Sequence, residues 1–148
     1  LHRCFPSRHD LLYALAEDAL ERVEAAVTAA RPEADEPIDV VLTRVATAVL
    51  PLADELRFLD VGAAVWDLPE MVERWYDLSR PVDDLVRRAK AKGELRLDLP
   101  TAWVVDLFVA AIWAASNGIS DGRIARRDAI ELVIDTVLHG IVAQGRAA

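Results

Sequence analysis

The residues best suited to bind a small molecule are aromatic, and they are concentrated in one part of the chain. Aromatic side chains can line a concave apolar site in which a few polar groups orient a ligand. We predict a ligand site formed by Arg57, Phe58, Trp66, Trp75, Tyr76, Trp103, Asp106, Ala110 and Trp113. The alternative is that these aromatic residues only fill a hydrophobic core, which is the commoner role for each residue taken singly.

Asp106 is the most informative member of this set. It lies between Val105 and Leu107 in an apolar segment. Its carboxylate must therefore be paired, hydrated or at the edge of the core. A ligand contact and an ordinary structural hydrogen bond both satisfy that requirement.

Patterns typical of catalytic or metal sites are absent from the sequence. The three histidines, His2, His9 and His139, lie far apart and in no spacing typical of metal ligands. His139 follows Asp135 by four residues, which predicts an exposed pair on one helix face and not an acid–base dyad. Cys4 has no evident activating partner, and the sequence has neither a nucleophile turn nor a glycine-rich phosphate loop. We therefore predict no enzymatic activity, no metal and no cofactor.

Composition and charge narrow the class of protein. The chain has 148 residues, 53% of them hydrophobic, which suffices for one globular domain with a core. A net charge of −8 argues against a broad nucleic-acid-binding surface, which needs clustered Lys and Arg. The single cysteine excludes an internal disulfide and favours the cytoplasm. The apolar run 102–115 is interrupted by Asp106 and is shorter than the ~20 residues of a membrane span, so we expect a core helix and no membrane partner.

The elements that must position these residues are all helices. Apolar residues recur with helical period, and we find no alternation typical of strands, so the predicted fold is all-α. The predicted helices run over about 7–30, 37–59, 68–92, 102–115 and 126–142. We expect Pro51 to kink or divide the second helix, Pro81 to kink the third, and Asp67 and Asp98 to cap the third and fourth.

The start of the first helix is specified locally. Ser7 can cap it while Asp10 reaches back, and Pro6 with Leu11 is placed as a hydrophobic staple. Because the chain opens at Leu1 with what reads as the end of another helix, we expect an upstream segment that carries part of the function.

Two segments resemble TetR-type transcriptional regulators. Residues 1–12, LHRCFPSRHDLL, resemble the motif that closes the helix-turn-helix domain of that family. His2 stands where the family usually has Tyr, and Cys4 where it often has His. Residues 88–99, RAKAKGELRLDL, resemble the connection between two helices of the family's regulatory domain. The order and separation of the two segments fit the family.

The resemblance implies a ligand-responsive transcriptional regulator of the repressor type. Residues 1–6 would end the helix-turn-helix domain, with His2, Arg3 and Arg8 near DNA phosphates, and residues 7–148 would form the ligand-binding and dimerisation domain. The effector would be a small apolar or amphipathic molecule, and operator DNA would be read through helices upstream of Leu1.

The resemblance also implies a homodimer in which the last two helices of each subunit form a four-helix bundle. Its interface would comprise Phe108, Ile112, Ile130, Val133, Ile134, Val137, Leu138 and Ile141. Two alternatives remain open: a monomer that satisfies both apolar helices internally, and a stand-alone dimerisation module without a ligand.

Overall fold

Five α-helices form the part of the fold that the structure describes. The computed structural model describes residues 6–60 and 64–140, without the side chains of 58–60, 64 and 65. Within those residues the helices are α1 (Arg8–Ala29), α2 (Ile38–Asp60), α3 (Pro69–Ala91), α4 (Thr101–Ser120) and α5 (Ala129–His139). Short 3-10 turns at Ala64–Asp67 and Arg126–Asp128 precede α3 and α5. The all-α prediction is confirmed, and the described residues contain no strand.

The capping pair at the start of α1 forms as predicted. Ser7 is extended, and its hydroxyl oxygen accepts the backbone N–H of Asp10 at 3.1 Å. The same hydroxyl donates to the Asp10 carboxylate at 2.5 Å. The two residues therefore satisfy an amide that the first turn of the helix leaves without an internal partner.

Two predicted caps are wrong. Asp67 ends the 3-10 turn, and α3 begins after Leu68 with Pro69 in its first turn and no side-chain cap. Asp98 instead accepts two hydrogen bonds from the Arg96 guanidinium, and α4 begins after Pro100. Pro69 lies in the first turn of α3, where its fixed φ is favourable, whereas Pro100 is the residue that precedes the first turn of α4.

The two internal prolines do not divide their helices. Pro51 lies within α2 and Pro81 within α3, and each helix continues through its proline. The predicted final helix begins later than expected, because Arg126–Asp128 forms a 3-10 turn before α5. The helix also ends earlier than the predicted Val142, at His139, because Gly140 leaves the helical conformation with a φ of +75°.

The main core lies between α2, α3, α4 and α5. Leu42, Val45, Val86 and Phe108 are almost completely buried there. Two smaller clusters along α1 bury residues that include Leu20 and Val23. Full burial of a side chain of this size contributes about 1.5–3 kcal/mol to folding. The packing therefore places α1 against α2 and α3, and α4 against α2, α3 and α5.

Helix α4 has 20 residues and extends beyond the predicted end at residue 115, so it is long and apolar enough to cross a membrane. Its mean hydropathy is 1.5, and 39% of its most apolar stretch is buried inside the fold. The core helix of a water-soluble protein has the same length and composition, so these properties are weak evidence for a membrane. In this fold Val105, Phe108 and Ile112 of α4 pack into the main core. These contacts account for the apolar character of that face of the helix.

The loop after α1 is joined to the connection after α3, and we call these segments, residues 30–38 and 88–99, the tied end. Gly93 adopts a φ of +78°, and the Glu94 N–H donates to the Ala89 carbonyl at 2.9 Å, which closes α3. The Glu94 carboxylate then accepts the N–H of Ile38 at 2.7 Å and so caps α2.

Basic side chains complete the tied end. The Arg88 guanidinium donates to the carbonyl of Pro32, and Lys92 pairs with Asp35. The Arg44 guanidinium donates to the Ala30 carbonyl at 2.9 Å and pairs with Glu36 at 2.7 Å. The loop between α1 and α2 is thus held from both α2 and α3.

Candidate ligand site

A cleft of about 570 Å³ opens beside α3 and α4, and we call it the outer cleft. The 3-10 turn before α3 contributes one residue, α2 one, α3 four and α4 three. The lining residues are Leu56, Trp66, Met71, Val72, Trp75, Tyr76, Asp106, Trp113 and Asn117.

The structure brings five of the nine predicted ligand residues to this cleft. They are Trp66, Trp75, Tyr76, Asp106 and Trp113. Trp103 is 57% exposed and lies outside it, and neither Ala110 nor Arg57 is among its lining residues. The side chain of Phe58 lies outside the described residues. That these five side chains contact a ligand remains a prediction.

Four lining residues were missed from the sequence: Leu56, Met71, Val72 and Asn117. Met71 and Val72 precede Trp75 and Tyr76 by four residues, so each shares a helix face with a predicted aromatic residue. Asn117 follows Trp113 by the same interval. Helical spacing from the predicted aromatic residues could have found these three, whereas Leu56 comes from a different helix.

Asp106 is the only charged residue among the described residues that line the cleft. Its side chain is exposed, which agrees with the expectation of a hydrated carboxylate or one at the edge of the core. No Lys, Arg or His of the described residues forms an ion pair with it. The cleft therefore offers aromatic faces together with one negative charge.

A smaller space lies deeper in the domain, and we call it the inner chamber. Its volume is about 50 Å³, and it is lined from α1, α2, α3 and α4. Leu56, Trp75 and Trp113 line both spaces and therefore lie between them. The remaining lining is nearly all aliphatic and includes Val23, Val27, Val45, Val49, Ala53, Val82, Val105 and Phe108.

The predicted dimer interface requires a correction. Phe108, Ile112 and Val133 are buried in the core of this chain, so they cannot present a surface to a partner. Ile130, Ile134, Val137 and Leu138 are half-buried and pack against that core, and Ile141 lies outside the described residues. Helical periodicity identifies an apolar face but does not tell which neighbour covers it.

The apolar side chains that are exposed on α4 and α5 are not those of the predicted interface. Trp103 and Leu107 on α4, and Leu132 on α5, are 57%, 41% and 48% exposed. Ala110 and Ala114 are exposed on α4 as well. We call these five residues the α4–α5 face.

A polar contact that the sequence did not suggest joins α2 to the end of α4. Ser116 is fully buried, and its hydroxyl donates to the Asp54 carboxylate at 2.6 Å. Arg126, in the turn before α5, pairs with the other Asp54 oxygen at 3.2 Å. The Ser116 hydrogen bond, followed by the Arg126 contact, holds the pKa of Asp54 below its ordinary value.

The remaining candidates that the structure describes are not grouped as a catalytic or metal site would require. His139 Nδ1 lies 3.0 Å from an Asp135 carboxylate oxygen as the predicted exposed pair. Among the described residues, no three His, Cys, Asp or Glu side chains are grouped to hold a metal. Arg8 is exposed at the start of α1, while His2 and Arg3 lie outside the described residues. Their contacts with DNA remain a prediction.

Comparison with known proteins shows which proteins this chain is similar to in sequence and fold. No protein-family model matches the chain. The HTH-type transcriptional repressor LfrR of Mycolicibacterium smegmatis is 26% identical to it over 147 residues, which cover 99% of this chain and 75% of that protein. The crystal structure of the TetR-like transcriptional regulator LfrR from Mycobacterium smegmatis in complex with proflavine matches with a TM-score of 0.78 and 25% identity. That match covers 96% of this chain and 77% of the other.

These matches confirm the resemblance found in the sequence. The all-α fold is TetR-like, and the chain is similar over nearly its whole length to a TetR-like transcriptional regulator. Within that class the chain is a homologue of the repressor LfrR.

Proposed function

We propose that residues 7–148 are the effector-binding and dimerisation domain of a ligand-responsive repressor, and that residues 1–6 end its helix-turn-helix domain. The single observation that carries the ligand part is the outer cleft, where Trp66, Trp75, Tyr76 and Trp113 surround an accessible carboxylate. Tyr76 is 69% exposed, more than a core aromatic residue would be. A role in ligand contact accounts for that exposure better than core packing does.

The effector that fits this cleft is an aromatic cation. Tryptophan and tyrosine faces attract a positive charge by about 0.5–2 kcal/mol, depending on how far it is desolvated. The Asp106 carboxylate adds a second attraction for the same charge. LfrR is known in complex with proflavine, an acridine that carries a positive charge at neutral pH, and a ligand of that chemistry suits the lining found here.

Regulation would occur by a shift between two arrangements of a dimer. An effector can change the equilibrium only if it binds the arrangement that releases DNA better than the one that binds it. Helix α1 packs on α2 and α3, both of which line the outer cleft, and it starts beside the segment that resembles the end of the helix-turn-helix domain. Helix α1 is therefore the element best placed to transmit the effect of ligand binding to the DNA-binding domain. A regulator of this kind would act in the cytoplasm.

The α4–α5 face is the proposed dimer surface. It lies on the two helices that the family resemblance assigns to dimerisation, but it uses Trp103, Leu107 and Leu132 in place of the buried residues named from the sequence. Tryptophan is enriched among the residues that dominate the binding energy of interfaces.

Ligand binding is tested by titrating tryptophan fluorescence with proflavine and with acridone, an uncharged tricyclic compound of similar size. Since only the cation gains from the Asp106 charge and the aromatic faces, we expect saturable quenching by proflavine at a Kd at least about tenfold lower than for acridone. Equal affinities would contradict the cation preference. Absence of saturable quenching by either compound would favour a dimerisation module without a ligand.

Dimerisation is tested by sedimentation of the chain and of Trp103→Arg. A charge placed in a buried apolar interface is costly, so this variant should sediment as a monomer while the original chain is a dimer. Leu97→Arg is the matched control, because Leu97 is 77% exposed in the connection before α4 and lies outside the α4–α5 face. A dimeric Trp103→Arg, or a monomeric original chain, would contradict this surface.

The domain assignment is tested by reading the coding DNA upstream of Leu1. We expect two further short helices joined by a turn, with clustered basic residues that contact operator phosphates. An unrelated sequence in that reading frame would contradict the assignment of residues 1–6.

A further inference from the structure

We propose that the inner chamber is a second, dry subsite of the effector site, which takes an apolar substituent of about two heavy atoms carried by the aromatic body in the outer cleft. The substituent would be a short alkyl group or a halogen. This inference rests on the proposed function of the outer cleft.

The chamber offers nothing that would hold water. Apart from the indole N–H groups of Trp75 and Trp113, the only polar group among the described side chains that line the chamber is the Ser79 hydroxyl. That hydroxyl already donates a hydrogen bond to the Trp75 carbonyl at 3.0 Å. A buried water needs two to four polar partners, and apolar cavities of this kind stay empty and accept apolar atoms. Filling the chamber is favourable, because its walls regain the dispersion contacts that an empty space removes.

The chamber is reached through side chains that already line the outer cleft. Leu56, Trp75 and Trp113 separate the two spaces. Both tryptophans are only half-buried, so they are not fixed on all sides by the core. Rotation of one indole ring is therefore the movement by which a substituent would pass from the outer cleft into the chamber.

The chamber also makes contacts that the outer cleft does not. Val23 and Val27 of α1 line the inner chamber, whereas the described lining of the outer cleft includes no residue of α1. An aromatic body confined to the outer cleft would therefore contact α2, α3, α4 and the 3-10 turn alone. The apolar substituent is the part of the ligand that touches α1.

Xenon is a direct probe, because it is an apolar atom that suits a dry cavity. Under xenon pressure we expect saturable shifts of the methyl resonances of Val23, Val27 and Val105 in ¹H–¹³C spectra. Ala53 lines the chamber but not the outer cleft, so Ala53→Val adds methyl groups inside the chamber and should abolish the shifts. Tyr76→Ala, which changes only the outer cleft, should retain them. A folded Ala53→Val with the original response, or no saturable response in the original chain, would overturn the subsite.

A pair of acridines tests the ligand assignment on the same samples. Proflavine with an added ethyl group should bind the original chain about tenfold more tightly than proflavine, since two further CH₂-sized groups are buried. Ala53→Val should lose this gain and keep its affinity for proflavine itself. An equal gain in both proteins would overturn the subsite. Failure of both acridines to bind, with the xenon response intact, would instead overturn the proposed function of the outer cleft.

Discussion

The outer cleft and the tied end differ in what holds them together. At the tied end, polar side chains reach across as many as 57 residues of sequence to bind backbone groups and each other. At the outer cleft, the described lining consists mainly of aromatic and aliphatic side chains with one accessible carboxylate. The contrast indicates that the tied end fixes the arrangement of α1, α2 and α3, whereas the cleft retains surface for binding.

Leu42→Ala should have the largest effect on stability. Leu42 is 1% exposed in the main core, and its truncation leaves a cavity on α2. We expect the free energy of unfolding to fall by about 2–5 kcal/mol. Urea denaturation measures it, and Val40→Ala on an exposed face of the same helix is the control. A loss below about 1 kcal/mol would show that the core can collapse around this site.

Glu94→Ala tests the tied end itself. The substitution removes the acceptor for the Ile38 N–H at the start of α2. Loss of a helix cap should lower the free energy of unfolding by about 1–2 kcal/mol. Glu33→Ala in the same loop is the control, because the Glu33 carboxylate is exposed and its one ion pair, with Arg31, is long at 3.9 Å. Proflavine affinity should be unchanged in both variants, and a parallel loss of affinity would contradict the separation of the two regions.

Asp54→Asn should destabilise the chain by about 1 kcal/mol at pH 7, since charge-assisted bonds to Ser116 and Arg126 are weakened. The pKa of Asp54 is held below its ordinary value of 3.8 in the folded state. The folded chain therefore gains stability from the ionised form above that value and loses it as the pH falls through the lowered pKa. The difference between the two proteins should shrink below about pH 4. Urea denaturation at pH 7, 5 and 3 measures it, and a constant difference would contradict this origin.

Tyr76→Ala should have the smallest effect on stability. Tyr76 is 69% exposed, so the free energy of unfolding should change by less than about 0.5 kcal/mol. Proflavine affinity should nevertheless fall several-fold, because an aromatic face of the outer cleft is lost. The same titration on Leu97→Ala, an exposed apolar residue outside both the outer cleft and the α4–α5 face, should show no loss. Equal losses in both variants would show that the dye binds nonspecifically to exposed apolar side chains.

Local signals in the sequence were sufficient for most helix boundaries. The Ser7 and Asp10 pair identified the start of α1, and Gly93 identified the end of α3. The predicted caps at Asp67 and Asp98 are wrong because the helices begin later in the chain, after Leu68 and after Pro100. The Glu94 contact with Ile38 joins residues far apart in sequence, so no local pattern indicates it.

The candidate site was predictable by residue type and less so by position. Aromatic residues near an isolated aspartate identified five cleft residues, because these residue types together suit a concave apolar site with a polar group. Trp103 and Trp113 lie on the same helix, yet one is exposed outside the cleft and the other lines it. The packing of α4 against α2, α3 and α5 decides which of the two tryptophans reaches the cleft. The same packing buries Phe108, which the sequence assigns to the dimer interface.

The central claim is that Asp106 and the surrounding aromatic residues bind a cation, and Asp106→Asn tests it most directly. Proflavine titration of tryptophan fluorescence should show about tenfold weaker binding for this variant, with no change in its free energy of unfolding. Asp83→Asn is the matched control, because it removes the same charge from α3 outside the cleft, and it should bind proflavine like the original chain. Equal proflavine affinity for Asp106→Asn and the original chain would contradict the claim.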